Sequence, residues 1–184
     1  MKFTVENGQV IQARQCPSPN FNQRPQETPI SLLVVHNISL PPNEFGGGYV
    51  HSFFQNQLDP SAHPYFETIA QLQVSAHLFV ERTGEVTQFV NLNDRAWHAG
   101  RSSFEGLPEC NDYSIGIELE GGDDIAYTQV QYQVLSALYE AIAAAYPAIT
   151  KQRITGHSDI APGRKTDPGP AFDWQHFLSM CKSL

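Results

Sequence analysis

The spacing of hydrophobic and polar residues changes several times along the chain, and each change marks an element. SLLVVHN (31–37) is an almost unbroken apolar run that meets a histidine. Such a run suits a strand buried on both faces, with His36 at its C-terminal end. SIGIELE (114–120) alternates instead, with Ile115, Ile117 and Leu119 on one side and Gly116, Glu118 and Glu120 on the other. SAHLFVERTGEVTQFV (75–90) reads as a hairpin around Thr83-Gly84. Residues 50–72 carry apolar positions at roughly helical spacing, broken by Pro60 and Pro64, which predicts short helices. From Thr128 to Tyr146, the residues Val134, Leu135, Leu138, Ile142 and Ala145 line one helical face. Thr128 and Gln131 form a capping-box pattern, and Pro147 ends the helix. A short strand at 153–155 and a final helix at 173–181 complete the pattern. Interspersed strands and helices predict an α/β (α+β) fold, a single mixed central β-sheet flanked by helices.

Three stretches lack either period. CPSPNFNQRPQETP (16–29) is proline-rich, so residues 1–29 read as an extended lead-in to one domain spanning 1–184. PPNEFGGGY (41–49) reads as a loop in which Gly46 to Gly48 predict mobility. GHSDIAPGRKTDPG (156–169) reads as a non-helical loop, with prolines and glycines around a histidine, two carboxylates and two cations.

Composition narrows the range of partners. The chain has 184 residues and is 41% hydrophobic, enough for the core of one domain. Against 11 Lys+Arg stand 19 Asp+Glu, a formal net charge of -8, which disfavours nucleic acid and anionic membranes as partners. No apolar run reaches the length of a membrane span, and MKFTVENGQVIQARQ lacks the apolar region of a secretory signal. Cys16, Cys110 and Cys181 form no C-x-x-C pair and read as reduced thiols. The expected location is the cytoplasm and the expected state a monomer acting on a small molecule.

Among seven histidines, His36 and His157 stand out because each follows a predicted strand, where ligands gather in α/β sheets. Asp167 is held extended by Pro168. Two imidazoles and one carboxylate form a three-ligand zinc set with a fourth position open for water, although solvated side chains are the commoner use of these residues. Glu118 and Glu120 are either an exposed polar face or one general base in a cleft that Gly116 keeps open. Alternation does not choose between the two glutamates. Lys165, two residues before Asp167, is a candidate for stabilising negative charge on a scissile carbonyl. Trp97-His98 in RAWHAG is either a stacking wall for a sugar or ordinary packing.

LLVVHNISLPP, VSAHL, RAWHAG, CNDYSIGIELEG and ITGHSDIAPGRKTDPGPAFDW together resemble the zinc N-acetylmuramoyl-L-alanine amidases, which are related to peptidoglycan recognition proteins. The resemblance covers almost the whole chain. It is nearest to members that cleave 1,6-anhydromuropeptides during cytoplasmic cell-wall recycling. It implies zinc held by His36, His157 and Asp167, with Glu118 as the catalytic carboxylate and Lys165 as the stabilising cation. It also implies Asn37, Trp97 and His98 at the substrate cleft, and Tyr49 in a loop that approaches the metal. Glu109 and Gln73 stand where relatives carry basic residues, which bears on stem-peptide preference and leaves Arg101 or Arg164 to meet a peptide carboxylate. Two other readings accompany this one, an amidase of intact peptidoglycan and a non-catalytic peptidoglycan-binding module.

Overall fold

The computed structural model describes residues 2–182. Its central sheet has six strands: β1 (Arg14–Gln15), β2 (Leu32–Ile38), β3 (Leu78–Val80), β4 (Val86–Gln88), β5 (Ser114–Glu120) and β6 (Ile154–Gly156). Their order is β6-β2-β5-β3-β4-β1. Strands β6, β2, β5 and β3 pair in parallel, while the β3–β4 hairpin is antiparallel, so the sheet is mixed as the pattern predicts. The segment ahead of β2 is woven into the fold. Its Arg14–Gln15 strand forms one sheet edge, and Phe21–Asn22 pairs with Arg95–Ala96.

Five helices cover the sheet: α1 (Tyr49–Phe54), α2 (Pro64–Ile69), α3 (Gln129–Ala145), α4 (His157–Ile160) and α5 (Trp174–Met180). The start of α3 is fixed as expected. Thr128 Oγ1 accepts the Gln131 N–H at 3.2 Å, and Gln131 Oε1 accepts the Thr128 N–H at 3.0 Å. Val134, Leu135, Leu138 and Ile142 of α3 pack on Leu33, Val35, Ile115, Ile117 and Leu119 of the sheet. Ala145 is exposed, and Ala143 is buried instead. On the opposite face, Phe53, Phe54, Phe66, Phe79 and Phe89 form a second core under α1 and α2. Leu32, Val34, Cys110, Tyr113 and Ile160 form a third.

The structure corrects three local expectations. First, β2 runs two residues beyond His36, to Ile38. Second, Tyr49 is no loop residue. It opens α1, and its ring packs on Phe66 with centroids 4.8 Å apart. Third, His157–Ile160 is one helical turn, in a stretch read as non-helical. Asp159 stabilises that turn by accepting the Gly156 N–H at 2.9 Å and the Thr155 hydroxyl at 3.2 Å, and the breakers Pro162 and Gly163 lie beyond it.

Candidate active site

Sheet register assembles the site. Glu118 on β5 pairs with His36 on β2, and Gly156 on β6 pairs with Val35. His157, the next residue, therefore comes level with His36. Side chains alternate along a strand, so His36 and Glu118 share the face turned away from α3. Asp167 arrives from the loop after α4. Its carbonyl accepts the Ser158 N–H at 2.9 Å, and the carbonyl of the following Pro168 accepts hydrogen bonds from Asn37 Nδ2 at 3.1 Å and Tyr127 Oη at 2.7 Å. Gly169 closes the loop at φ +80°, where a Cβ would collide with the Asp123 backbone.

These elements bring three donor atoms into a triangle. His36 Nδ1 lies 3.0 Å from His157 Nδ1 and 3.1 Å from Asp167 Oδ2, and His157 Nδ1 lies 3.0 Å from the same oxygen. Three ligands on a tetrahedral zinc ion, with bonds of about 2.0–2.1 Å, sit roughly 3.3 Å apart. The outer nitrogens explain the orientation. His157 Nε2 donates to the Ala99 carbonyl at 3.0 Å, so the nitrogen available to a metal is its Nδ1. His36 Nε2 lies 2.8 Å from His98 Nδ1, and burial pushes the His36 pKa down to about 4, so this ring is neutral near pH 7. With the His36 proton on Nε2, two imidazole lone pairs and a carboxylate oxygen converge on one point. They repel one another unless a cation lies between them, so the donor set fits a divalent metal.

Glu118 and Glu120, which alternation leaves equivalent, are separated by their partners. Glu120 accepts the Gly46 N–H at 2.6 Å and the Arg82 N–H at 3.0 Å, so both of its oxygens are occupied in bracing loops. Glu118 is only 8% exposed, and its Oε2 has no hydrogen-bond partner among the described residues. Burial, and then the charge of Asp167, raise its pKa well above the ordinary carboxylate value, with Lys165 opposing them.

A cleft of about 710 Å³ opens over this cluster, with Glu118, Lys165, Asn37, Trp97, His98 and Arg164 in its wall. Tyr49 and Arg101 lie outside that wall. The Asn37 amide is engaged with Asp123 Oδ1 at 2.9 Å as well as with Pro168, and so braces the ligand loop. Trp97 donates Nε1–H to Asn22 Oδ1 at 2.7 Å. The Arg164 guanidinium donates to the carbonyls of Ala99 and Arg101. His98 is buried between His36 and Ser114 Oγ, 3.0 Å from its Nε2. The space above Gly116, expected to admit substrate, is filled by the His98 ring, which a Cβ there would meet at 2.5 Å. Sequence reasoning missed Ser114, Asp123 and Tyr127. None has a distinctive spacing, and the role of each depends on chain segments far away in sequence.

Comparison with known proteins identifies the family. Residues 26–170 match the N-acetylmuramoyl-L-alanine amidase family, described as Amidase_2. The chain is 56% identical over 178 residues to the 1,6-anhydro-N-acetylmuramyl-L-alanine amidase AmpD of Haemophilus influenzae, covering 97% of each protein. It superimposes on a crystal structure of a selenomethionine AmpD derivative with a TM-score of 0.94 and 53% identity, over 97% of this chain and 99% of that one. A structure of the N-acetylmuramyl-L-alanine amidase AmiD from E. coli is 28% identical with a TM-score of 0.60, and the match spans 97% of this chain and 65% of that one. That structure is a complex with the substrate anhydro-N-acetylmuramic acid-L-Ala-D-gamma-Glu-L-Lys. By fold, by whole-length identity and by family match, the chain belongs to the N-acetylmuramoyl-L-alanine amidases, which are amide hydrolases.

Proposed function

We propose that this amidase holds zinc on His36, His157 and Asp167 and hydrolyses the amide between the muramoyl lactyl group and L-alanine of 1,6-anhydromuropeptides. The reading places it in cytoplasmic cell-wall recycling, as a monomer whose residues 1–184 act as one amidase domain. The observation that carries it is the triangle of converging donor atoms beside a buried carboxylate with a free oxygen. The names of the relatives and the muropeptide held by the AmiD structure support the substrate class.

When bound, zinc supplies Lewis acidity to the scissile carbonyl and lowers the pKa of a water. The chain's own groups supply the rest. Glu118 Oε2 accepts the proton of the attacking water, because its burial and raised pKa make it a stronger base than an ordinary carboxylate. It then returns that proton to the leaving amine of L-alanine. The Lys165 ammonium, in the cleft wall, stabilises the charge that gathers on the carbonyl oxygen. Trp97 offers a flat wall for the sugar, and Asn37 and Arg164 border the path of the peptide. His98 enters this reading mainly through His36, which it orients.

The test compares turnover of a soluble anhydromuropeptide with turnover of intact sacculi, on protein of measured metal content. The expected result is about one zinc per chain and strong preference for the soluble substrate. Preference for sacculi overturns the recycling role. Protein that lacks metal and stays inactive when zinc is restored overturns the hydrolytic mechanism and favours a binding module.

A further inference from the structure

The outer nitrogens of the two imidazole ligands rest on consecutive residues. His36 Nε2 meets His98 Nδ1 at 2.8 Å, and His157 Nε2 donates to the Ala99 carbonyl at 3.0 Å. The His98 ring and the Ala99 carbonyl, carried on adjacent backbone units, therefore aim the two ligands. One atom fixes that backbone: Asn111 Oδ1 accepts the His98 N–H at 3.1 Å and the Ala99 N–H at 2.8 Å. Asn111 is buried, within the short 3-10 turn Cys110–Asp112. That turn is anchored in its own right. Arg24, from the proline-rich segment ahead of β2, donates through Nη1 to the carbonyls of Asn111 and Asp112, both at 3.0 Å. Through Nη2 it reaches the Ser114 carbonyl at 2.8 Å and the Leu92 carbonyl at 3.1 Å. Ser114 Oγ then closes the circuit on His98 Nε2.

We propose that Asn111 is a positioning residue of the metal centre, whose single side-chain oxygen holds the 98–99 backbone and through it the directions of His36 and His157. The inference rests on the metal-binding reading above. It assigns a function to a residue that touches neither ligand. Asn111 holds both at once, because the two support points are neighbours on one strand of chain. Groups that orient metal-ligating histidines are worth about 10–100-fold in metal affinity.

The experiment measures the zinc dissociation constant by chelator competition for wild type, Asn111→Ala and Asn111→Asp. Far-ultraviolet circular dichroism and melting of the metal-free proteins run alongside. Asn111→Ala is expected to bind zinc about 10–100-fold more weakly while remaining folded. Asn111→Asp keeps the accepting oxygen and is expected within a few-fold of wild type. If Asn111→Ala does not fold, Asn111→Ser is read in its place, since its hydroxyl is too short to span both amides. Thr128→Ala, a capping variant remote from the site, should leave zinc affinity unmoved. Zinc affinity unchanged in the Ala or Ser variant overturns the proposal. So does an Asp variant as weak as Ala, or an equal loss in Thr128→Ala, which would make the effect one of general stability. Wild type that binds no zinc overturns the metal reading itself, a result distinguishable from all of these.

Discussion

Strands β2 and β5 turn Leu33, Val35, Ile115, Ile117 and Leu119 toward α3, and His36, Ser114, Gly116, Glu118 and Glu120 the other way. Every residue of β5 is buried, so the contrast is not between a wet and a dry face. The apolar face needs only volume and close packing, and neighbouring hydrophobic side chains are interchangeable to a first approximation. The polar face needs a named partner for each group, because an unpaired buried polar atom costs roughly 1–3 kcal/mol. Ser114 has His98, and Glu120 has the amides of Gly46 and Arg82. Glu118 Oε2 is the exception. The comparison teaches that, on this face, the atom left without a partner is the one proposed to take the water's proton, as expected where local rules give way at a functional site.

That contrast is open to attack from both sides. The largest effect is expected from Asp167→Ala, which should remove zinc and turnover together, as read by elemental analysis beside the assay. A variant retaining both would place the metal elsewhere. Glu118→Gln should lower kcat by about 10²–10⁴-fold while zinc content and melting temperature hold or improve, since a desolvated carboxylate has been neutralised. A near-normal kcat would return the choice of base to open question. On the apolar face, Ile117→Ala should cost ~2–5 kcal/mol in urea denaturation but leave kcat per folded molecule unchanged. A fall in kcat there would mean that the two faces are mechanically coupled. The smallest effect is expected from Thr128→Ala, about 1 kcal/mol from loss of the α3 cap, with zinc affinity unaffected.

Much of the scaffold is legible along the chain because it rests on local rules. The period of two in SIGIELE, the apolar run before His36 and the Thr128–Gln131 cap are all short-range signals, and each element forms there, with only the end of β2 displaced. The misreadings share a cause. His157–Ile160 is helical because a carboxylate two residues along, Asp159, caps it, which a stretch of prolines and glycines does not advertise. Gly116 looks like room for substrate until His98, brought in by a separate strand segment, fills the space. Arg24 carries no signal in its proline-rich surroundings, and its guanidinium ties four distant carbonyls together.

By itself, then, the sequence determined the long strands and the main helix, which of their faces are apolar, and which residue types are available for chemistry. Backbone propensity and hydrophobic period act over a few residues, so they can be read in one dimension. Only the tertiary structure decided which of those residues meet. Register across β6, β2 and β5 set His157, His36 and Glu118 level, and His98 and Ala99, far from both ligands in sequence, meet the outer nitrogens of the two imidazoles. The difference between Glu118 and Glu120 is likewise invisible in IELEG. It arises because loops from elsewhere occupy both oxygens of one and leave an oxygen of the other free.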